Sequence, residues 1–194
     1  MSLKIWEWSY RDVFIHDEDE SLCIKKLKKN REKEIFWVKV KFKQDVYTLL
    51  KFWIKDLNKY DFGILKRVKE IIPENIPSHF EMTDEWLVES IIKNFDWKIS
   101  ENIKTFKWDL PNTFFEELKV ILDNLIENNM EPMDILSNTI VQEYEEWKYK
   151  PILFDFKRIG WRTYLLQPWL LFSKNQREKK VYRKLEKIKE SFNK

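Results

Sequence analysis

The clearest alternation of apolar and polar positions lies in residues 35–43, where Phe36, Val38, Val40 and Phe42 alternate with Trp37, Lys39, Lys41 and Lys43. Period two predicts a strand with the first set on a buried face and the lysines on a wet one. Residues 4–15, KIWEWSYRDVFI, are rich in aromatic and β-branched side chains and lack helical spacing, so they too predict a strand. Residues 16–20, HDEDE, predict an acidic turn. Residues 21–28 predict a weaker strand, and residues 28–33, KKNREK, a polar tip. The first 44 residues therefore read as a small antiparallel meander.

Helical spacing then takes over. Asp45 is a good N-cap, and the run to Lys59 places Val46, Leu49, Leu50, Trp53, Ile54 and Leu57 on one face. Residues 62–72 repeat this with Leu65, Val68, Ile71 and Ile72, until Pro73 and Pro77 force a break. Thr83 predicts the start of another helix with Trp86, Leu87, Ile91, Ile92 and Phe95 inward. Asn112 predicts the cap of the cleanest helix, striped by Phe115, Leu118, Ile121, Leu122, Leu125 and Ile126. Residues 131–148 predict a further helix through Ile135, Leu136, Ile140, Tyr144 and Trp147. Residues 97–108 fit either a hairpin turning at 100–102 or a helix capped by Ser100. Residues 151–172 are aromatic and irregular. Ser173 then caps a terminal helix over residues 174–192, with Val181, Leu185, Ile188 and Phe192 as a narrow seam that suits one partner helix. The expected fold is α+β, mainly α: one domain over residues 1–194, with a β-rich segment (1–44), an acidic body of about five helices (45–150) and an aromatic, basic C-terminal segment (151–194).

Composition narrows the chemistry. Two glycines in 194 residues argue against Gly-rich phosphate cradles and dinucleotide fingerprints, and a single cysteine makes an intramolecular disulfide impossible. No cofactor is expected. A lone cysteine and an N-terminus without a secretory pattern point to a cytoplasmic protein. The longest apolar stretch is too short to span a membrane. Abundant Lys, Ile, Asn and Phe with no alanine fit an AT-rich coding source, and high Lys plus Glu also fits a thermophile. Charge is uneven: residues 1–60 carry net +4, residues 61–150 net −9 and residues 151–194 net +8.

Catalytic constellations are weak. The two histidines, His16 and His79, are far apart, so no zinc spacing exists. The Asp17, Glu18, Asp19, Glu20 run reads as a solvated turn. Glu117-Leu118-Lys119, with Asp109 upstream, matches the end of a metal nuclease motif, but it falls inside the best helix, where that motif wants a strand. A metal-dependent nuclease is the least favoured reading, and the chain is not expected to be an enzyme. The basic clusters say more. A hairpin set (Lys25, Lys26, Lys28, Lys29, Arg31, Lys33), a strand face (Trp37, Lys39, Lys41) and a C-terminal set (Arg158, Arg162, Lys179, Lys180, Arg183, Lys184, Lys187) predict contacts to a phosphate backbone, with Trp37 as a stacking platform. The leading expectation is a non-catalytic nucleic-acid-binding accessory subunit, DNA or RNA. The alternative is a protein–protein interaction or oligomerisation module. There, Trp169, Leu170, Val181, Leu185, Ile188 and Phe192 would bind a partner or a second copy.

Overall fold

The computed structural model describes residues 3–7, 11–35, 38–43, 56–132, 134–158 and 174–192. The chain forms two compact units: residues 1–63 with 78–91, and residues 64–77 with 92–194.

The first unit is built on an antiparallel sheet. Its strands are β1 (Lys4–Glu7), β2 (Arg11–Ile15), β3 (Leu22–Leu27), β6 (Phe80–Met82) and β7 (Leu87–Ser90), in the order β1-β2-β3-β7-β6. The single strand expected over residues 4–15 is thus two paired strands, with Trp6 opposite Val13. The acidic turn forms as expected: Asp19 Oδ1 accepts hydrogen bonds from both the amide and the hydroxyl of Ser21, which satisfies it locally. The expected polar tip is mostly strand. β4 (Asn30–Ile35) pairs with β5 (Val38–Lys43), which leaves only residues 28 and 29 between β3 and β4. Trp37 and the helical run expected from Asp45 to Ile54 lie outside the described residues.

Helix α1 (Leu57–Ile71) begins where Asp56 accepts the amides of Asn58 and Lys59 through Oδ1, at 3.0 and 3.1 Å. This is an N-cap, and the helix stops before Pro73 as the proline rule requires. The division between the two units falls within this helix, at Gly63 and Ile64.

Two buried ionic contacts fasten the first unit. Lys25 on β3 sits 2.7 Å from Glu89 on β7, and both side chains are buried. Arg11 on β2 donates to Asp61, to Asn58 Oδ1 at 2.8 Å and to the carbonyl of Leu57. Asn58 in turn donates to the carbonyl of Lys25. The first turn of α1 is therefore held on the sheet by polar groups, with Val13, Ile24, Leu57, Leu87 and Val88 as the apolar filling.

Cys23 belongs to this core. Burial pushes its thiol from 9.0 to about 11. At pH 8 the folded protein is expected to react with iodoacetamide about 100-fold more slowly than the unfolded chain. Mass spectrometry of labelled samples with and without urea measures this. The same shift makes stability fall as pH rises from 9 toward 11, because only the unfolded chain loses the proton there.

The second unit centres on α2 (Asn112–Glu127). Phe114, Phe115, Leu118, Ile121, Leu122, Leu125 and Ile126 are all buried, so the predicted stripe is real and one residue wider. Its N-cap position is Pro111, with no side-chain capping bond, so the expected cap at Asn112 is corrected. Strands β8 (Glu101–Asn102), β10 (Thr139–Glu145) and β11 (Lys148–Leu153) form a sheet in the order β11-β10-β8. A separate pair joins β9 (Met130–Pro132) to β12 (Phe156–Arg158). α2 packs against β9, against β11 and against α3 (Lys174–Phe192), the expected terminal helix.

The mainly helical reading is overturned. Among the described residues there are three helices, and two stretches expected to be helical are strands. At Thr83, Oγ1 does accept the amide of Trp86, the bond an N-cap makes. Here, however, the Thr83 amide also donates to the carbonyl of Trp86, and the loop closes β6 onto β7. Phe95, expected inward, is 49% exposed. Residues 131–148 hold most of β9, all of β10 and the start of β11, with turns between them. Leu136, Tyr144 and Trp147, expected inward, are exposed. Residues 97–108 are not a helix. The chain turns over residues 94–98, ahead of the expected position, and Lys93 bridges Ile99.

Candidate nucleic-acid interface

The basic hairpin of the first unit is only partly a surface. Lys25 is 3% exposed and bound to Glu89, so it cannot meet a phosphate, and that expectation is corrected. Its neighbour Lys26 lies over the Trp86 ring at 4.1 Å and the Phe14 ring at 5.2 Å. Lys28 is 3.8 Å from Asp12, which also holds Lys4 at 2.8 Å. Lys29 is exposed. The register of β4 and β5 pairs Glu32 with Lys41 and Glu34 with Lys39. Lys39 and Lys41 thus each stand at a position opposite an acidic residue, whereas Lys43 stands opposite Asn30. Arg31 and Lys33 fall at the alternate positions, opposite Phe42 and Val40. The side chains of Arg31, Lys33, Lys39, Lys41 and Arg158 lie outside the described set, as do Trp37, Arg162, Trp169 and Leu170.

In the second unit the basic helix keeps its expected character. Val181, Leu185 and Ile188 of α3 are buried, and the Phe192 ring lies 6.0 Å from that of Phe115 on α2. The seam expected to bind a partner is therefore packed on a helix of the same chain. A polar clasp reinforces it. The Tyr182 hydroxyl donates to Asp123, and Lys119 lies 3.1 Å from the same carboxylate and 5.1 Å from the Tyr182 ring. Burial, and next the Asp123 acceptor, push the Tyr182 hydroxyl up to about 12.

With the seam inward, the opposite face points outward. Lys179, Arg183 and Lys187 are exposed, and they recur at i, i+4 and i+8. Lys184 is half-exposed and stands 3.7 Å from Asp134. Lys180 is partly covered. Glu186 and Glu190 share the outer face, so it is basic but not uniformly so.

At the C-terminal end of α3 a groove of about 540 Å³ opens between Ser191 and Phe192 on one side and the 103–109 segment on the other. Trp108 is 67% exposed on its wall, with Lys104, Lys107 and Asp109 around it. The Phe106 ring, also in the groove, is fixed edge-on against Tyr149 at 5.6 Å. None of these residues stands out in the sequence. The spacing Lys104, Phe106, Lys107, Trp108 interleaves charge and aromatics, but it sits in a segment whose net charge is strongly negative, and the regional average conceals it.

A third surface is aromatic. Trp97 and Trp147 are 81% and 71% exposed, at φ 67° and 60°, at the tips of two neighbouring turns. Glu143 ties the turns together: its carbonyl accepts the Phe95 amide, its amide donates to Asn94 Oδ1, and its Oε1 accepts the Trp147 amide. Lys98 pairs with Asp96, and Lys148 with Glu145, while Glu146 beside Trp147 is exposed.

Glu117 and Lys119 lie on helix α2 and Asp109 in the groove. Glu117 Oε1 accepts Asn75 Nδ2 at 2.7 Å, an interaction that fastens a loop. Among the described residues no three His, Cys, Asp or Glu side chains gather as metal ligands would, and no helix is long and apolar enough to cross a membrane. No protein-family model matches this sequence, and no curated protein does.

Proposed function

We propose that this protein is a non-catalytic nucleic-acid-binding accessory subunit whose principal contact is the outer face of the C-terminal helix. The observation that supports this most is the direction of that helix. Its apolar seam is spent on α2, which leaves Lys179, Arg183 and Lys187 to solvent, with Lys180 and Lys184 beside them. Five cations along one helix neutralise phosphates without reading bases.

Fluorescence anisotropy with labelled oligonucleotides tests this. Neutralising about five phosphates makes affinity fall by about two decades between roughly 50 and 200 mM salt. Reversing Lys179, Arg183 and Lys187 to Glu is expected to abolish binding at the lower salt and leave the fold intact, since all three are exposed. Absence of binding at low salt, or a salt slope untouched by the reversal, would sink the reading.

A second reading rests on the aromatic turns. Large, mostly exposed tryptophans suit a protein surface, since Trp is enriched at interface hot spots. This reading carries the interaction-module function on Trp97 and Trp147 in place of the occupied helix seam. It requires a particle mass that grows with concentration or with a partner, and little response to salt.

A further inference from the structure

We infer that the groove at the end of α3 receives an unpaired base, so that the nucleic acid bound is single-stranded. This rests on the nucleic-acid reading above and assigns its ligand class. Lys180, Lys184, Lys187 and Ser191 stand at i, i+4, i+7 and i+11, one row along the helix about 16 Å long. Ser191 is also a wall of the groove. The cationic row thus runs directly into a cleft that contains an exposed indole.

The parts match a single strand in kind. A phosphate backbone follows the row, and Lys104 and Lys107 take the phosphates on either side of the base in the groove. Trp108 offers an indole face for stacking, and Phe106 adds a second aromatic side chain to the lining. Asp109 repels phosphate, yet a carboxylate accepts a hydrogen bond from the exocyclic amino group of a base. Asp134, 3.7 Å from Lys184, and Glu131, which lines the same pocket as Lys180 and Lys184, are acidic competitors that a phosphate backbone displaces along the row. A duplex keeps its bases stacked inside, so it engages the row and leaves the groove unused.

The experiment compares a labelled oligodeoxycytidylate of about 16 nucleotides, whose bases carry an exocyclic amino group, with a duplex of equal length, at roughly 50 mM salt. Wild type is expected to bind the single strand at least about tenfold more tightly. Trp108→Ala is expected to weaken single-strand binding about 5- to 100-fold while duplex affinity stays unchanged. Trp108→Phe is expected to restore most of the loss, since it keeps an aromatic face. An unchanged thermal midpoint for both variants separates lost stacking from lost fold, as Trp108 is mostly exposed. Equal binding of both ligands, unaffected by Trp108→Ala, overturns the groove assignment and leaves backbone binding standing. Binding of neither ligand overturns the nucleic-acid reading itself.

Discussion

Replacing Glu89 with alanine is expected to destabilise the first unit by about 3–5 kcal/mol. Lys25 is 3% exposed, and its ammonium lies 2.7 Å from the Glu89 carboxylate across the β3–β7 ladder. Removing the carboxylate leaves a positive charge at a buried sheet position, directly opposite Val13 on one side and Leu87 on the other. The expected cost comes from this exposed imbalance, not from the worth of the intact pair. Accordingly, Lys25→Met combined with Glu89→Leu is expected to return stability to within about 1 kcal/mol of wild type, or above it. Urea unfolding read on NMR amides of β3 and β7 measures both variants. A unit-specific probe is needed because two units need not unfold as one transition. A Glu89→Ala variant as stable as wild type would mean that Lys25 reaches solvent with ease.

Phe114→Ala is expected to cost the second unit a similar amount, about 3–5 kcal/mol. The ring is fully buried near the start of α2 and meets Phe115 edge-on at 5.5 Å. The helix packs on β9, β11 and α3 together, so the cavity has no single neighbour able to collapse into it. Val120 on the same helix is 57% exposed, and Val120→Ala is expected to change stability by less than about 0.5 kcal/mol. The same unfolding experiment, read on amides of α2 and β10, gives both values. Equal effects at the two positions would contradict the orientation of α2.

These two sites also show what the sequence could and could not convey. α2 was legible because its apolar residues repeat at helical spacing over four turns, and burial followed that pattern. α3 was legible for the same reason, although not what its seam packs on. β7 was not legible. Leu87, Val88 and Glu89 are buried in succession on an interior strand, so no period of two is left to read. Thr83 added a helix-start signal whose hydrogen bond serves a hairpin loop equally well. In β10 and the turns on either side of it, Leu136, Ile140, Tyr144 and Trp147 stand three or four apart and imitated a helix. The informative residue was Pro151, which pairs opposite Val141 on an edge strand, where a missing amide is tolerated.

The candidate interface divides in the same way. The exposed cations of α3 followed from composition and helical period alone. Lys25 did not, because its place in the ladder turns it toward Glu89, and a list of basic residues carries no such direction. The groove was hidden because Trp108 and Ser191 are remote in sequence and meet only through the packing of α3.

Four non-glycine residues adopt left-handed backbone conformations: Trp97, Asn129, Trp147 and Asp155. Asn and Asp enter this region readily, whereas a tryptophan there costs about 1–2 kcal/mol relative to the usual conformation. A chain with only two glycines has to seat side chains where its backbone curls to the left, and at two solvent-facing tips it seats the bulkiest one. Backbone strain at the tips and the packing of the interior consequently fall on different residues. Glycine or asparagine at the tips would relax the backbone and leave the interior packing untouched. Each turn can therefore be changed on its own without altering the core.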